Sequence, residues 1–123
     1  MLDALNLYRA RNGLAALKYS KRLEAAAQNH LQDMAFRDYF DHVSPEGTSP
    51  GDRALAAGFC HRYVGENLAA GQIGVAAVME AWKRSPAHNM NMLQADYVYV
   101  GMCCYQAPNG RFYWAQEFAI EMP

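Results

Sequence analysis

The chain reads as an α+β domain in which helices cover a small antiparallel sheet. Three observations point that way. Apolar residues recur at helical spacing in several segments between Leu2 and Leu93. Beyond Tyr97 the composition turns β-branched and aromatic, with a turn signal at 107–110 between two runs. Helices and strands follow one another without the regular βαβ alternation of a parallel sheet. The 123 residues, 52% of them apolar, suffice for one domain spanning 1–123 with a core of its own, without a metal or a disulfide as a staple.

Each element has a local reason. Leu2, Leu5 and Tyr8 share a helix face, and Asn12-Gly13 supplies a left-handed stop. Ser20 is placed to cap a second helix, in which Leu23, Ala27, His30, Leu31 and Met34 form one stripe. Ser49-Pro50 opens a short helix that Gly58 closes. The segment "CHRYVGEN" is short enough for a strand. Val75, Val78, Met79 and Trp82 mark a core-facing helix over 74–84, and Ser85-Pro86 breaks it and starts another turn. "YVYVGMCCY", "APNG" and the alternating "RFYWAQEF" predict a C-terminal antiparallel hairpin.

Composition excludes several functions. The formal net charge of −1 is scattered, unlike the basic surface that nucleic acids demand. No apolar run is long enough to span a membrane. No signal peptide is visible, since Asp3 stands where a basic region belongs, and the chain reads as a mature or trimmed domain. The three cysteines, Cys60, Cys103 and Cys104, lack metal-ligand spacing. Adjacent strand residues face opposite ways, so at most one disulfide is expected, from Cys60 to Cys103 or Cys104, with at least one free thiol.

Four histidines divide into two kinds. His30 lies on an apolar stripe and reads as a core histidine bonded to backbone; His61 reads as exposed. His42, in "DYFDHVSPEG", and His88, in "KRSPAHNMNML", both sit beside Ser-Pro after a helix. Glu66 and Asn67, in "VGENLAAG", stand between a strand and a glycine-rich turn, where a carboxylate packs poorly. Imidazole nitrogens are good ligands for zinc or copper, and a carboxylate orients or supplements them. The wide spacing does not by itself bring the three together. Ser44 lacks the third group of a triad, Ser85 reads as a cap, and no G-x-S-x-G elbow or phosphate loop is present.

Together the motifs resemble a family. "LNLYRARNGLAAL", "HLQDMAFRDYFDH", "VGENLAAG", "VMEAWKRSPAHNMNML", "VGMCC" and "YWAQEF" follow the order of CAP domains, the superfamily of cysteine-rich secretory proteins, antigen 5 and pathogenesis-related proteins. The chain is similar to the short bacterial, SCP-like branch over nearly its whole length. The resemblance implies an α-β-α sandwich with the sheet between helical layers. It implies that His42 and His88 face each other across a cleft as ligands for weakly bound zinc or another divalent cation, with Glu66 beside them and Asn67 and Ser85 in the cleft or just behind its ligands. It also implies an extracellular or cell-envelope location. The eukaryotic pattern has a second glutamate where Ser85 stands, and Ala87 and Asn89 replace a glycine and an arginine. The resemblance therefore implies a weaker metal site than in those relatives.

Three functions are compatible with these residues. The first is a monomeric binding module whose cleft takes a divalent cation or small polar ligand, such as a cell-envelope component. The second is a metal-dependent hydrolase with Glu66 as general base. The third is a hydrogen-bonded network that only stiffens the cleft.

Overall fold

The computed structural model describes residues 1–121. Within them the chain runs α1 (Leu2–Arg11), β1 (Lys18–Tyr19), α2 (Lys21–Arg37), α3 (Pro50–Ala56), β2 (Val64–Ala70), α4 (Val75–Arg84), α5 (Pro86–Met92), β3 (Tyr97–Gln106) and β4 (Phe112–Ile120). The sheet order is β1-β3-β4-β2. β4 pairs antiparallel with both β3 and β2. The two-residue β1 runs parallel to β3, so the sheet is mixed at one edge. This short pairing had no signal in the sequence; it is made as the chain passes β3 on its way to the Ser20 cap, whose N–H donates to the Val100 carbonyl at 2.8 Å.

The expected start and stop signals act as such. Ser20 Oγ accepts from the Leu23 N–H at 3.2 Å. Ser49 and Asp52 form a reciprocal capping box at α3, with Pro50 at the first position. α2 ends on Asp38, which takes a left-handed conformation at φ 57° and turns the chain toward the loop that carries His42.

Side-chain alternation sorts the sheet residues between two layers. On one face, Leu68, Tyr113 and Ala115 pack against Ala27, Leu31 and Met34 of α2, while Ala119 meets Leu23 and Ala54. On the other, Val100, Met102, Trp114 and Phe118 pack with Leu5, Val78, Met79, Trp82 and Met92 from α1, α4 and α5. This is the α-β-α sandwich. Gly101 lets α2 approach closely: a Cβ there would lie 2.2 Å from the Glu24 nitrogen and 2.4 Å from the Leu23 carbonyl carbon.

The cysteines fall within the expected limit of at most one disulfide, with none formed, and the reading of His61 needs correction. Cys60, Cys103 and Cys104 are all free. Phe59, next to Cys60, packs its ring on Tyr99 with centroids 6.0 Å apart. Cys103 lies four residues farther along β3, about 13 Å at ~3.3 Å per residue, beyond the roughly 7 Å reach of a disulfide. His61 is half-buried rather than exposed, because its Nε2 bonds the Ile120 carbonyl at 2.9 Å, at the end of β4.

Candidate functional site: a histidine–carboxylate cleft

Glu66 sits on β2, an edge strand, and shares the α2 face with Val64 and Leu68. Its side chain is 1% exposed. Burying a carboxylate is costly unless its oxygens are paired. Here Oε1 accepts from His42 Nδ1 at 2.7 Å, and Oε2 accepts from Arg53 Nη2 at 3.1 Å.

The loop carrying His42 is held on both sides. Within it, Ser44 and Thr48 exchange backbone and side-chain bonds, Ser44 N–H to the Thr48 carbonyl and Thr48 N–H to Ser44 Oγ, both at 3.0 Å. Gly47, at φ 92°, makes the turn between them. Arg53 reaches from α3 and donates to the Thr48 carbonyl at 3.0 Å and the His42 carbonyl at 2.7 Å. One guanidinium thus fixes both the His42 backbone and the carboxylate that His42 addresses. The sequence reading did not single out Arg53; its position in the first turns of a capped helix next to the "DHVSPEGT" loop was the available signal.

His88 arrives from the opposite layer. Asn67, fully buried on the α4–α5 face, donates to the His88 carbonyl and to Gln116 Oε1, both at 3.1 Å. Asn91 donates to Asn67 Oδ1 at 2.9 Å and to the Glu66 carbonyl at 3.2 Å. These amides clamp α5 onto β2. The expected Glu66-Asn67 pair is therefore split by strand alternation: Glu66 addresses His42, and Asn67 positions the backbone of His88. Ser85 occupies the N-cap of α5 without a side-chain cap bond, and no hydrogen bond among the described residues joins it to His42, Glu66 or His88. His30 is a core histidine, its Nε2 2.7 Å from the Asp41 carbonyl.

The electrostatics follow from this geometry. The hydrogen bond to Glu66 raises the His42 pKa, against the effect of partial burial. Burial lowers that of His88, and the positive charge of His42 acts in the same direction. Burial opposes the Glu66 charge, but the neighbouring Glu117 carboxyl, the hydrogen bond from His42 and the charge of Arg53 act against it and hold its pKa below the usual value. Glu117, a residue the sequence reading left on a strand face, lies directly across from Glu66 in the β2–β4 register.

His42 is half exposed, at 51% of its side chain. With Nδ1 committed to Glu66, its remaining nitrogen is Nε2. A carboxylate that fixes the tautomer and orientation of an imidazole in this way is the usual outer support of a metal-binding histidine. The donor set is thin, however. Among the described residues no group of three or more His, Cys, Asp or Glu side chains is arranged to hold a metal ion.

The fold defines a class, and sequence comparison agrees. The chain belongs to the CAP, or cysteine-rich secretory protein, family, whose sequence profile matches residues 2–118. It is 31% identical to the uncharacterised protein YkwD of Bacillus subtilis over 96% of its own length and 45% of YkwD, so it spans less than half of that relative. Its fold matches an extracellular, SCP-domain protein of Bacillus anthracis with a TM-score of 0.89 and 28% identity, over 98% of this chain and 39% of that one. It also matches an outer surface protein of Borrelia burgdorferi with a TM-score of 0.90 and 21% identity, over 98% and 90% of the two chains. Among the described residues no helix is long and apolar enough to cross a membrane.

Proposed function

We infer that this CAP domain is a binding module that works outside the cytoplasm, and that its cleft takes a divalent cation or a small polar ligand through His42 and His88. The observation that carries the reading is the 2.7 Å bond from His42 Nδ1 to the buried Glu66 carboxylate. It leaves Nε2 as the nitrogen for an outside partner, on a loop fixed by Arg53. Such rigidity serves recognition, because little order has to be imposed on binding. The names of the Bacillus anthracis and Borrelia burgdorferi proteins support the location.

His42 and His88 would hold a bound divalent ion, which would supply positive charge toward anionic or carbonyl oxygens of a ligand. Glu66 would stay behind His42 as its orienting partner. The hydrolytic alternative has less support. A general base must reach the proton it takes, and both Glu66 oxygens are engaged on a side chain that is 1% exposed. Calorimetric titration of Zn²⁺ into the wild-type chain, His42→Ala and His88→Ala tests the reading. Weak to moderate binding to wild type is expected, and loss in both variants while the fold survives. Unchanged affinity in either variant would defeat the shared site.

A further inference from the structure

Glu117 is the one carboxyl among the described residues with no explanation in terms of packing, surface charge or the cleft as described. It is 2% exposed, in the middle of β4. It points to the α2 face, flanked along its own strand by Ala115 and Ala119. Across β3 its partner is Gly101, which has no side chain to offer, and across β2 its partner is Glu66. Neither of its oxygens receives an N–H or O–H from any other group among the described residues, when both glutamates are taken as acceptors.

A carboxylate left this way would be a buried charge without a donor, beside a second carboxylate. Two such groups side by side in a buried site do not readily both ionise. The charged and titratable groups around the pair are Arg53 from α3, His42 from the loop and His30 from α2. Arg53 and His42 bond Glu66, and no bond from either reaches Glu117. Both cationic partners thus select Glu66 as the member that carries the charge. The proton falls to the other.

We propose that Glu117 is a positioning residue of the cleft: it stays a neutral carboxylic acid and donates its O–H to Glu66, so that the Glu66 carboxylate is held from behind while it orients His42. Burial first, and then the Glu66 charge, push the Glu117 pKa well above the ordinary carboxyl value, in keeping with this assignment. The proposal deepens the binding-module reading, because it concerns the same cleft, yet its test does not depend on any ligand. Glu66 then accepts from three directions: Glu117 across the sheet, Arg53 along α3 and His42 at the cleft. A carboxylate fixed on three sides has little freedom to turn away from the imidazole.

The test uses the whole chain without added metal, so a chain that fails to bind zinc still answers it. Infrared spectroscopy at neutral pH should show the C=O stretch of a carboxylic acid, separate from the carboxylate bands. The band should vanish in Glu117→Gln and persist in Glu46→Gln, where the carboxylate lost is exposed and paired with Arg37. Ring-nitrogen NMR, at a pH above the His42 titration, should find His42 as the Nδ1–H tautomer in wild type and in Glu117→Gln, whose amide donates in the acid's place. In Glu117→Met, which has similar bulk and no donor, the tautomer population should shift toward Nε2–H. The absence of an acid band in wild type, or its survival in Glu117→Gln, overturns the proposal. So does an unchanged tautomer in a folded Glu117→Met. If Glu117→Met does not fold, the infrared spectra of Glu117→Gln decide alone.

Discussion

Replacing Glu66 by Gln is the sharpest single perturbation of this structure. The change keeps the shape of the side chain and removes its charge. Arg53, whose side chain is 10% exposed, then loses its anion. Breaking a buried ion pair by removing one partner costs about 3–5 kcal/mol in general. Two features reduce that cost here. Arg53 keeps its bonds to the carbonyls of Thr48 and His42. Glu117, no longer beside a carboxylate, becomes free to ionise and restore an anion to the site. The expected net loss is about 2 kcal/mol, or roughly 8 °C in Tm at ~4 °C per kcal/mol for a domain of this size. A thermal melt followed by circular dichroism measures it, because a domain this small unfolds as a unit. The same variant should return the His42 pKa toward its ordinary value, since the hydrogen bond to Glu66 is the first cause of its rise. A Tm within about 2 °C of wild type, with His42 still titrating high, would refute the idea that the Glu66 charge holds the cleft together.

The remaining expectations are simpler. Gly101→Ala should destabilise by about 3 kcal/mol or more, because the new methyl meets the α2 backbone rather than a side chain that can move; denaturant melts check it. His30 is buried, and burial lowers its pKa below 6.5. The unfolded chain therefore binds a proton that the folded chain resists, and stability should fall as pH drops from about 6.5 toward the depressed value. His30→Gln should flatten that part of the stability–pH curve while sparing the cleft. Thiol titration of the unfolded, unreduced chain should count three free cysteines, Cys60, Cys103 and Cys104; a count of one would restore the disulfide.

Local chemistry was legible in the sequence, and cross-strand chemistry was not. Ser20, Ser49 with Pro50, and Gly13 mark helix ends because a cap acts within a few residues. The helical stripe of α2 and the 107–110 turn are short-range signals too. His42 and Glu66 could be singled out by residue type and by motif order, but their contact is a matter of tertiary geometry. The motif "GEN" suggests that Glu66 and Asn67 act together, yet a strand sends neighbours to opposite faces, and they serve different layers. Arg53 was overlooked because its place in a capped helix beside the His42 loop is only a weak local signal, and its bonds to the His42 carbonyl and to Glu66 are tertiary. Glu117 was overlooked because its meaning comes from the β2–β4 register, which sets it opposite Glu66 although the two lie far apart along the chain. β1 is too short for any pattern.

The central claim is that His42 and His88, brought from opposite sides of the sheet to the edge strand β2, act on one ligand. The most direct measurement is ring-nitrogen NMR of all four histidines during a Zn²⁺ titration at neutral pH. The resonances of His42 and His88 should shift together with a common dissociation constant, with Nε2 of His42 moving most, while His30 and His61, held by the Asp41 and Ile120 carbonyls, stay in place. Separate constants for His42 and His88, or a shift of only one of them, would contradict the shared cleft.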